Sequence, residues 1–160
     1  MRRWALMIAA VTMASSCSDG GGDDVVERDA AVYGVIVQWV VEAEAEPAAV
    51  DDGLTVFLEA LDQDEITLEV QAAVVQGLES VVTVRFIDDR AEAVDHSQPG
   101  EPVREGGLLL GLGPVPRSGN TVEVTVERYI QDDESVGSRF TVRSAGGTWS
   151  VRDEAVLASG

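Results

Sequence analysis

Apolar residues in the first half of the chain repeat at the spacing of an α-helix. Intervals of three and four residues are typical of one helix face, and such a stripe consists of Val32, Val35, Ile36, Trp39, Val40 and Ala43. Acidic residues precede this stripe and suit a helix N-terminus, whereas Pro47 predicts that the helix ends near Glu46. A second stripe consists of Val70, Ala73, Val74, Gly77 and Leu78. The pattern predicts two amphipathic helices.

Three glutamates lie where the first helix is predicted to end, namely Glu42, Glu44 and Glu46. The dipole of a helix disfavours negative charge at its C-terminus. Two interpretations follow: the carboxylates are solvated at a small cost, or a cation or an arginine from elsewhere in the fold compensates them.

Strand-like runs occupy most of the remaining sequence. They are residues 54–61, residues 81–87 and the four C-terminal runs "LLLGLG", "TVEVTVERY", "SRFTVRS" and "TWSVRD". The β-branched run at 81–87 has little polar alternation, which predicts a strand covered on much of both faces. Residues 88–107 are rich in proline and glycine and are predicted to be mostly loop. We therefore predict one α+β domain over residues 28–155, with two helices packed on a four- to six-stranded antiparallel sheet.

The C-terminal runs predict a strand register. A Gly146-Gly147 turn places Ala145 opposite Thr148, and further pairs of that hairpin are Ser144 with Trp149 and Val142 with Val151. In the preceding hairpin the predicted pairs are Val126 with Phe140, Val124 with Val142, Glu127 with Arg139 and Glu123 with Arg143. Trp39 and Trp149 are predicted core residues, with ligand stacking as the alternative.

The N-terminal sequence has the features of an export signal. Arg2 and Arg3 precede an apolar run at residues 4–13, and small residues follow it. Ten residues rise only about 15 Å as a helix, too little to span a membrane. "ASSC" at residues 14–17 resembles the bacterial lipoprotein box, with alanine where leucine is commonest. The resemblance implies that the Cys17 sulfur is linked to diacylglycerol after residues 1–16, the signal peptide, are removed.

The cysteine is followed by "SDGGGDD", so residues 17–27 are predicted to be the lipidated cysteine and a flexible, acidic, glycine-rich tether. The chain has one cysteine, and lipidation removes a thiol that an oxidising exported compartment would leave reactive. The alternatives are ordinary secretory cleavage that leaves the thiol free, and export by a twin-arginine route.

Charge restricts the classes of partner. The chain has no lysine, and because Arg2 and Arg3 precede Cys17, residues 17–160 contain nine arginines and all 29 acidic residues, a formal net charge of −20. Such a charge repels phosphate backbones and anionic lipid, which excludes nucleic acid and polybasic membrane docking as expected partners. A basic protein partner or cations are favoured, and a monomer is expected.

Candidates for chemistry are few. His96 beside Asp95 lacks a neighbouring nucleophile motif and is interpreted as a solvated loop side chain. Calcium ligands could come from Asp62, Asp64 and Glu65 or from Asp132, Asp133 and Glu134, but neither set has the spacing of a calcium loop. The glycines of "GLG" at 111–113 precede prolines, so close strand packing is favoured over a dinucleotide site. No catalytic residue, metal site or cofactor is predicted.

The element order, together with "VRFIDD", "LLLGLGPV" and "GGTWSV", resembles small exported bacterial proteins of unassigned function. More distantly it resembles the curved-sheet cone of the nuclear-transport-factor and polyketide-cyclase-like superfamily. The resemblance covers about residues 30–153. Cone families that do chemistry commonly use an inward His/Asp pair, and the one histidine here falls in a predicted loop.

The expected function is that of a membrane-anchored surface lipoprotein, a non-catalytic binding or envelope-associated module. It would be held by the lipid on Cys17 at the extracytoplasmic side of the cell membrane, or at the outer membrane in a cell that has one. The alternative is a small-molecule enzyme or carrier with a cone-shaped cavity. A filled apolar core favours the first reading, and a buried pocket with convergent polar groups favours the second.

Overall fold

Two helices and a six-stranded sheet make up the domain in a computed structural model, which describes residues 21–45, 53–61, 65–132 and 134–157. The helices are α1 (Gly21–Glu44) and α2 (Leu68–Leu78). The strands are β1 (Thr55–Ala60), β2 (Thr83–Phe86), β3 (Leu108–Leu112), β4 (Thr121–Gln131), β5 (Glu134–Ala145) and β6 (Thr148–Val156). Their order in the sheet is β2-β1-β3-β4-β5-β6, and the predicted α+β class is confirmed.

The sheet is mixed, whereas the sequence predicted an antiparallel one. β1 is parallel to both β2 and β3, and the pairs from β3 to β6 are antiparallel. A parallel pair needs a crossover connection; α2 supplies it between β1 and β2, and residues 88–107 supply it between β2 and β3. The antiparallel prediction therefore holds only for the C-terminal half of the sheet.

β2 is an edge strand and is not covered on both faces as predicted. Val84 is buried, whereas Thr83 and Arg85 on either side of it are exposed. The prediction was wrong because it counted Thr83 as a residue of a buried strand. Threonine is β-branched like valine, so an exposed threonine does not break the pattern of a buried strand.

α1 begins earlier than the sequence predicted. Its first residue is Gly21, so residues 21–27, the second part of the predicted tether, are helical. Asp23 and Asp24 lie in the first turn, where the helix dipole favours negative charge. Cys17 and the rest of the predicted tether lie outside the described residues. Within those residues, no helix is long and apolar enough to cross a membrane.

The buried face of α1 is rotated from the predicted stripe. Val32, Ile36 and Val40 are buried as expected. The other buried positions are Ala30, Tyr33, Val37 and Val41, whereas Trp39 is 42% exposed and Ala43 is also exposed. Trp39 is thus not a core residue. Because valines lie on both sides of the helix, the predicted stripe and the observed buried face are similarly apolar. The sequence pattern alone does not distinguish between them.

The two faces of the sheet are covered differently. Both helices pack on one face, where Val56, Leu110, Val124 and Phe140 are among the most buried side chains. The loop at 88–107 covers part of the other face. There it completes a second apolar cluster, which consists of Phe57, Ile87, Ala93, Val94, Leu109 and Tyr129 with Val103 packed against it.

The register of the last hairpin is confirmed, and that of the preceding hairpin is wrong by two residues. Ala145, Ser144 and Val142 lie opposite Thr148, Trp149 and Val151. The observed β4–β5 pairs are Val124 with Phe140, Val122 with Val142, Val126 with Ser138, Glu127 with Gly137, Thr125 with Arg139, Glu123 with Thr141 and Thr121 with Arg143. Next to the turn, the register changes by one residue between Tyr129 and Gln131. A two-residue shift keeps every side chain on its face, so alternation does not reveal it.

One arginine attaches the loop at 88–107 to the sheet. Arg90 donates to Glu59 of β1 at 2.6 Å and lies 3.5 Å from a carboxylate oxygen of Glu127 of β4. The hydrogen bond to Glu59 raises the pKa of Arg90 further above its usual value, so the guanidinium stays protonated. The side chain of Glu59 is only 15% exposed, so its carboxylate depends on this partner.

We expect Arg90→Met to lower the free energy of unfolding by about 1–2 kcal/mol, because it leaves the partly buried Glu59 without its cation. Arg85→Met is the matched control, since the Arg85–Glu105 pair is about half exposed on both sides and should contribute about 1 kcal/mol or less. Urea denaturation of both variants measures the difference. Equal losses would contradict a special role for Arg90.

Candidate functional site

A small pocket lies between the C-terminal half of α1 and strands β4, β5 and β6. Apolar side chains from the helix and the sheet form much of its wall, and they are Val40, Ala43, Val126, Val136 and Phe140. Four polar side chains complete the lining, and they are Glu44, Arg128, Ser138 and Glu154. The cavity volume of the pocket is about 20 Å³, room for little more than a water molecule and far below the range of ligand sites.

Glu154 of β6 is held at the pocket by two neutral donors. It lies opposite Phe140 in the β5–β6 pair and therefore on the helix side of the sheet. Ser138 donates its hydroxyl to Glu154 Oε1 at 2.9 Å, and Trp39 donates its indole N–H to Glu154 Oε2 at 3.3 Å. Ser138 is buried at 6% exposure. In the described part of the chain, no arginine forms an ion pair with Glu154.

An ion pair between α1 and β4 contributes to the same pocket. Arg128 of β4 pairs through Nη1 with Glu44, the last residue of α1. Of the two interpretations of the glutamates at the C-terminus of this helix, the one that applies to Glu44 is compensation by an arginine from elsewhere in the fold. Arg128 Nε is buried and has no hydrogen-bond partner among the described residues. The three ionised groups that line the pocket, Glu44, Arg128 and Glu154, leave it with one net negative charge.

Among the residues singled out from the sequence, His96 is in the loop as predicted. It is about half exposed, and its Nδ1 lies 3.0 Å from Glu101 Oε2. Hydrogen bonds from Ser97 and Gln98 hold the pKa of the neighbouring Asp95 below its usual range. Neither His96 nor Asp95 lines the pocket beside α1.

Several other residues singled out from the sequence lie outside the described part of the chain. Asp62, Asp64 and Asp133 of the two acidic sets, like Cys17, lie outside the described residues. Within the part of the chain that is described, no three His, Cys, Asp or Glu residues form a group that could hold a metal. The close-packing interpretation of Gly111 is confirmed, because a Cβ there would lie 2.4 Å from Leu61 Cδ2.

Trp149, the second predicted core tryptophan, is partly buried and packs against the main core. The guanidinium carbon of Arg28 lies 5.7 Å from the centre of its ring, within the distance of a cation–π contact. Trp149 thus has intramolecular partners, whereas Trp39 is exposed and contacts Glu154 through its indole N–H.

The sequence analysis missed Arg128, Ser138 and Glu154. Each is a polar residue within a strand. Polar residues of this kind occur in many of the strands, so these three did not stand out. Only Glu44 carried a signal, as a carboxylate at a helix C-terminus. Ser138 carried one further signal. It lies between Val136 and Phe140, at a position where the alternation of the strand predicts an apolar residue, and a buried polar side chain needs a hydrogen-bond partner.

The pocket places a carboxylate beside apolar side chains, in a space that holds little more than one water molecule. The Glu154 carboxylate is part of the lining, the indole of Trp39 donates to it from outside the lining, and the wall is aliphatic and aromatic. The buried residues of the helix side form one core cluster, and a second, open pocket lies between α1, α2 and the Gly146-Gly147 turn. Comparison with models of protein families, with curated proteins and with solved structures finds no match to this chain.

Proposed function

We propose that this chain is an exported lipoprotein, anchored through Cys17 at the extracytoplasmic side of a membrane, whose folded domain is a non-catalytic binding module. The observation that carries the proposal is the order of charged, apolar and small residues before Cys17. The position of α1 supports it, because the helix begins at Gly21, four residues after the cysteine. The domain would stand close to the lipid surface.

Two features support a binding role for the domain. The core on the helix side is filled, and the pocket beside it is small and places polar groups next to an apolar wall. These groups are attached to neighbouring strands of one sheet, which gives them fixed positions. The second candidate, a small-molecule enzyme or carrier with a cavity between helix and sheet, is supported by the location of the pocket. The volume of about 20 Å³ weighs against this candidate, because it is too small for a metabolite or a cofactor.

The charge supports a cationic partner. A formal net charge of −20 over residues 17–160 attracts basic surfaces and cations and repels nucleic acid. Any such association should weaken as the salt concentration rises, because screening shortens the reach of the field.

Metabolic labelling with a radioactive fatty acid tests the anchor in a bacterial host. We expect the wild-type protein to carry label and to partition into detergent, and Cys17→Ala to lose both properties, since it removes the acceptor sulfur. Ser18→Ala is the control, because it changes the neighbouring residue and keeps the cysteine. Wild-type protein that is unlabelled and remains in the aqueous phase would overturn the lipoprotein proposal.

A further inference from the structure

We propose that the groove between α1 and α2 is the docking site for an amphipathic helix of a protein partner, one whose apolar face is flanked by lysine or arginine. The groove is the open pocket that also borders the Gly146-Gly147 turn, and its cavity volume is about 510 Å³. The inference deepens the proposed function, on which it rests, by naming the binding surface and the chemistry of the partner.

The first argument is the shape of the groove. Much of its lining consists of small residues, among them Ala30 and Gly34 of α1 and Ala73 and Gly77 of α2. Both glycines lie inside helices, where glycine is unfavourable. A Cβ at Gly34 or Gly77 would meet no atom within 4 Å. Packing within the domain therefore requires neither glycine, and the absence of side chains at both positions leaves room for a second element.

The second argument is the apolar character of the same surface. The larger side chains of the lining include Val35, Val74, Leu78 and Trp149. A partner that covers them removes apolar area from water, which is the main favourable contribution to most protein association. Apolar side chains on one face of a bound helix would occupy the space beside the alanines and glycines.

The third argument concerns the backbone of the partner. Both long walls of the groove are helices, whose backbone groups are hydrogen-bonded within the helix. An extended segment would leave its own N–H and C=O groups without partners there, whereas a helix satisfies them internally. The lining residues of α1 extend from Glu27 to Gln38, which spans about 16 Å along the helix axis. That length matches about three turns of a bound helix.

The fourth argument is charge complementarity. Arg28 is the only basic residue in the sequences of α1 and α2, and it is paired with Asp29. Glu27 lines the groove, and Glu69 lies one helical turn before the part of α2 that lines it. Within the described residues, neither glutamate forms an ion pair. This charge favours a partner with basic flanks and disfavours a second copy of this acidic chain.

Isothermal titration with a synthetic amphipathic peptide tests the proposal. Its leucines recur at intervals of three and four residues with lysines beside them, and a comparison peptide has glutamate in place of every lysine. The purified full chain is titrated in phosphatidylcholine vesicles against a protein-free blank, or in buffer alone if it remains in the aqueous phase. We expect saturable binding of the lysine peptide and at least tenfold weaker binding of the glutamate peptide.

Filling the groove should weaken binding without destabilising the domain. Gly34→Leu and Gly77→Leu each place a side chain in the groove, and each should weaken binding of the lysine peptide at least tenfold. Leucine is a better helix former than glycine, so neither variant should lower the urea midpoint. Gly22→Leu is the matched control, because this exposed glycine of α1 lies outside the groove and also has open space around it. It should change the affinity less than twofold.

Neutralising the groove tests the charge separately. Glu27→Gln should weaken binding of the lysine peptide by about threefold, because it keeps the shape of the side chain and removes its charge. Glu123→Gln is the control, since it removes the same charge from an exposed position of β4, between Val122 and Val124, which pack in the core on the helix side. It should have a smaller effect than Glu27→Gln.

Each result has a defined meaning. Absence of saturable binding, equal binding of the two peptides, or equal weakening by Gly22→Leu and Gly77→Leu would overturn the proposal. Binding of 1-octanol but not of the peptide would assign the groove to a small apolar ligand, and a dimer that Gly77→Leu abolishes would assign it to a second copy; either excludes the helical partner. Failure of the titration leaves the fatty-acid labelling result intact, so the two proposals fail separately.

Discussion

Replacing Val142 by aspartate is expected to abolish folding. Val142 has no exposed surface, lies between Val122 and Val151 in neighbouring strands, and belongs to the main core. An aspartate there would bury a carboxylate with no cation beside it, or would have to bind a proton at neutral pH. Either costs several kcal/mol, a large part of the roughly 5–15 kcal/mol by which domains are stable.

Thr121→Asp is the matched control, because it introduces the same side chain on the other face of the same sheet. Thr121 is exposed and lies opposite Arg143, so the new carboxylate meets solvent and a basic neighbour. We expect the free energy of unfolding to change by about 1 kcal/mol or less. Far-ultraviolet circular dichroism and urea denaturation distinguish the two variants. A cooperative unfolding transition for Val142→Asp would show that the valine is not buried in solution.

The faces of the C-terminal strands could be predicted because alternation is a local property. Val122, Val124 and Val126 alternate with polar residues, and all three are buried. The Gly146-Gly147 turn is equally local, and it determined the register of the last hairpin. The β4–β5 register also changes by one residue near Tyr129, and no sequence pattern predicts this irregularity. Opposite-charge pairs favoured the wrong alignment, and exposed pairs of this kind contribute too little to select a register.

The order of the strands could not be predicted, because it depends on how two connections cross the sheet. Residues 88–107 read as loop, yet this loop carries Val94 and Val103 onto the face opposite the helices. The candidate pocket could not be predicted either, because it also depends on the tertiary fold. Glu44, Arg128 and Glu154 come from a helix and two strands that are far apart in sequence, and only the tertiary fold brings their side chains to one place.

Gly107 is a position where no sequence pattern predicts a large effect of substitution, whereas the structure does. It joins the loop at 88–107 to β3, and the chain there passes very close to β1. A Cβ on Gly107 would lie 2.4 Å from the carbonyl oxygen of Thr55 and 3.2 Å from that of Arg104. Both obstacles are backbone atoms, so they move only if the strand or the loop moves.

We expect Gly107→Ala to lower the free energy of unfolding by about 1–3 kcal/mol or more, the range for overpacking at a tight contact. The displaced loop would also strain the hydrogen bond between Thr55 Oγ1 and Glu105, which measures 2.9 Å. Gly77→Ala makes the same chemical change in α2, where a Cβ would meet no atom within 4 Å. Alanine is the better helix former, so that variant should gain about 0.5–1 kcal/mol. Urea denaturation of the two variants should therefore move the midpoint in opposite directions, and a Gly107→Ala midpoint at or above that of the parent protein would show that the loop does not approach β1 this closely.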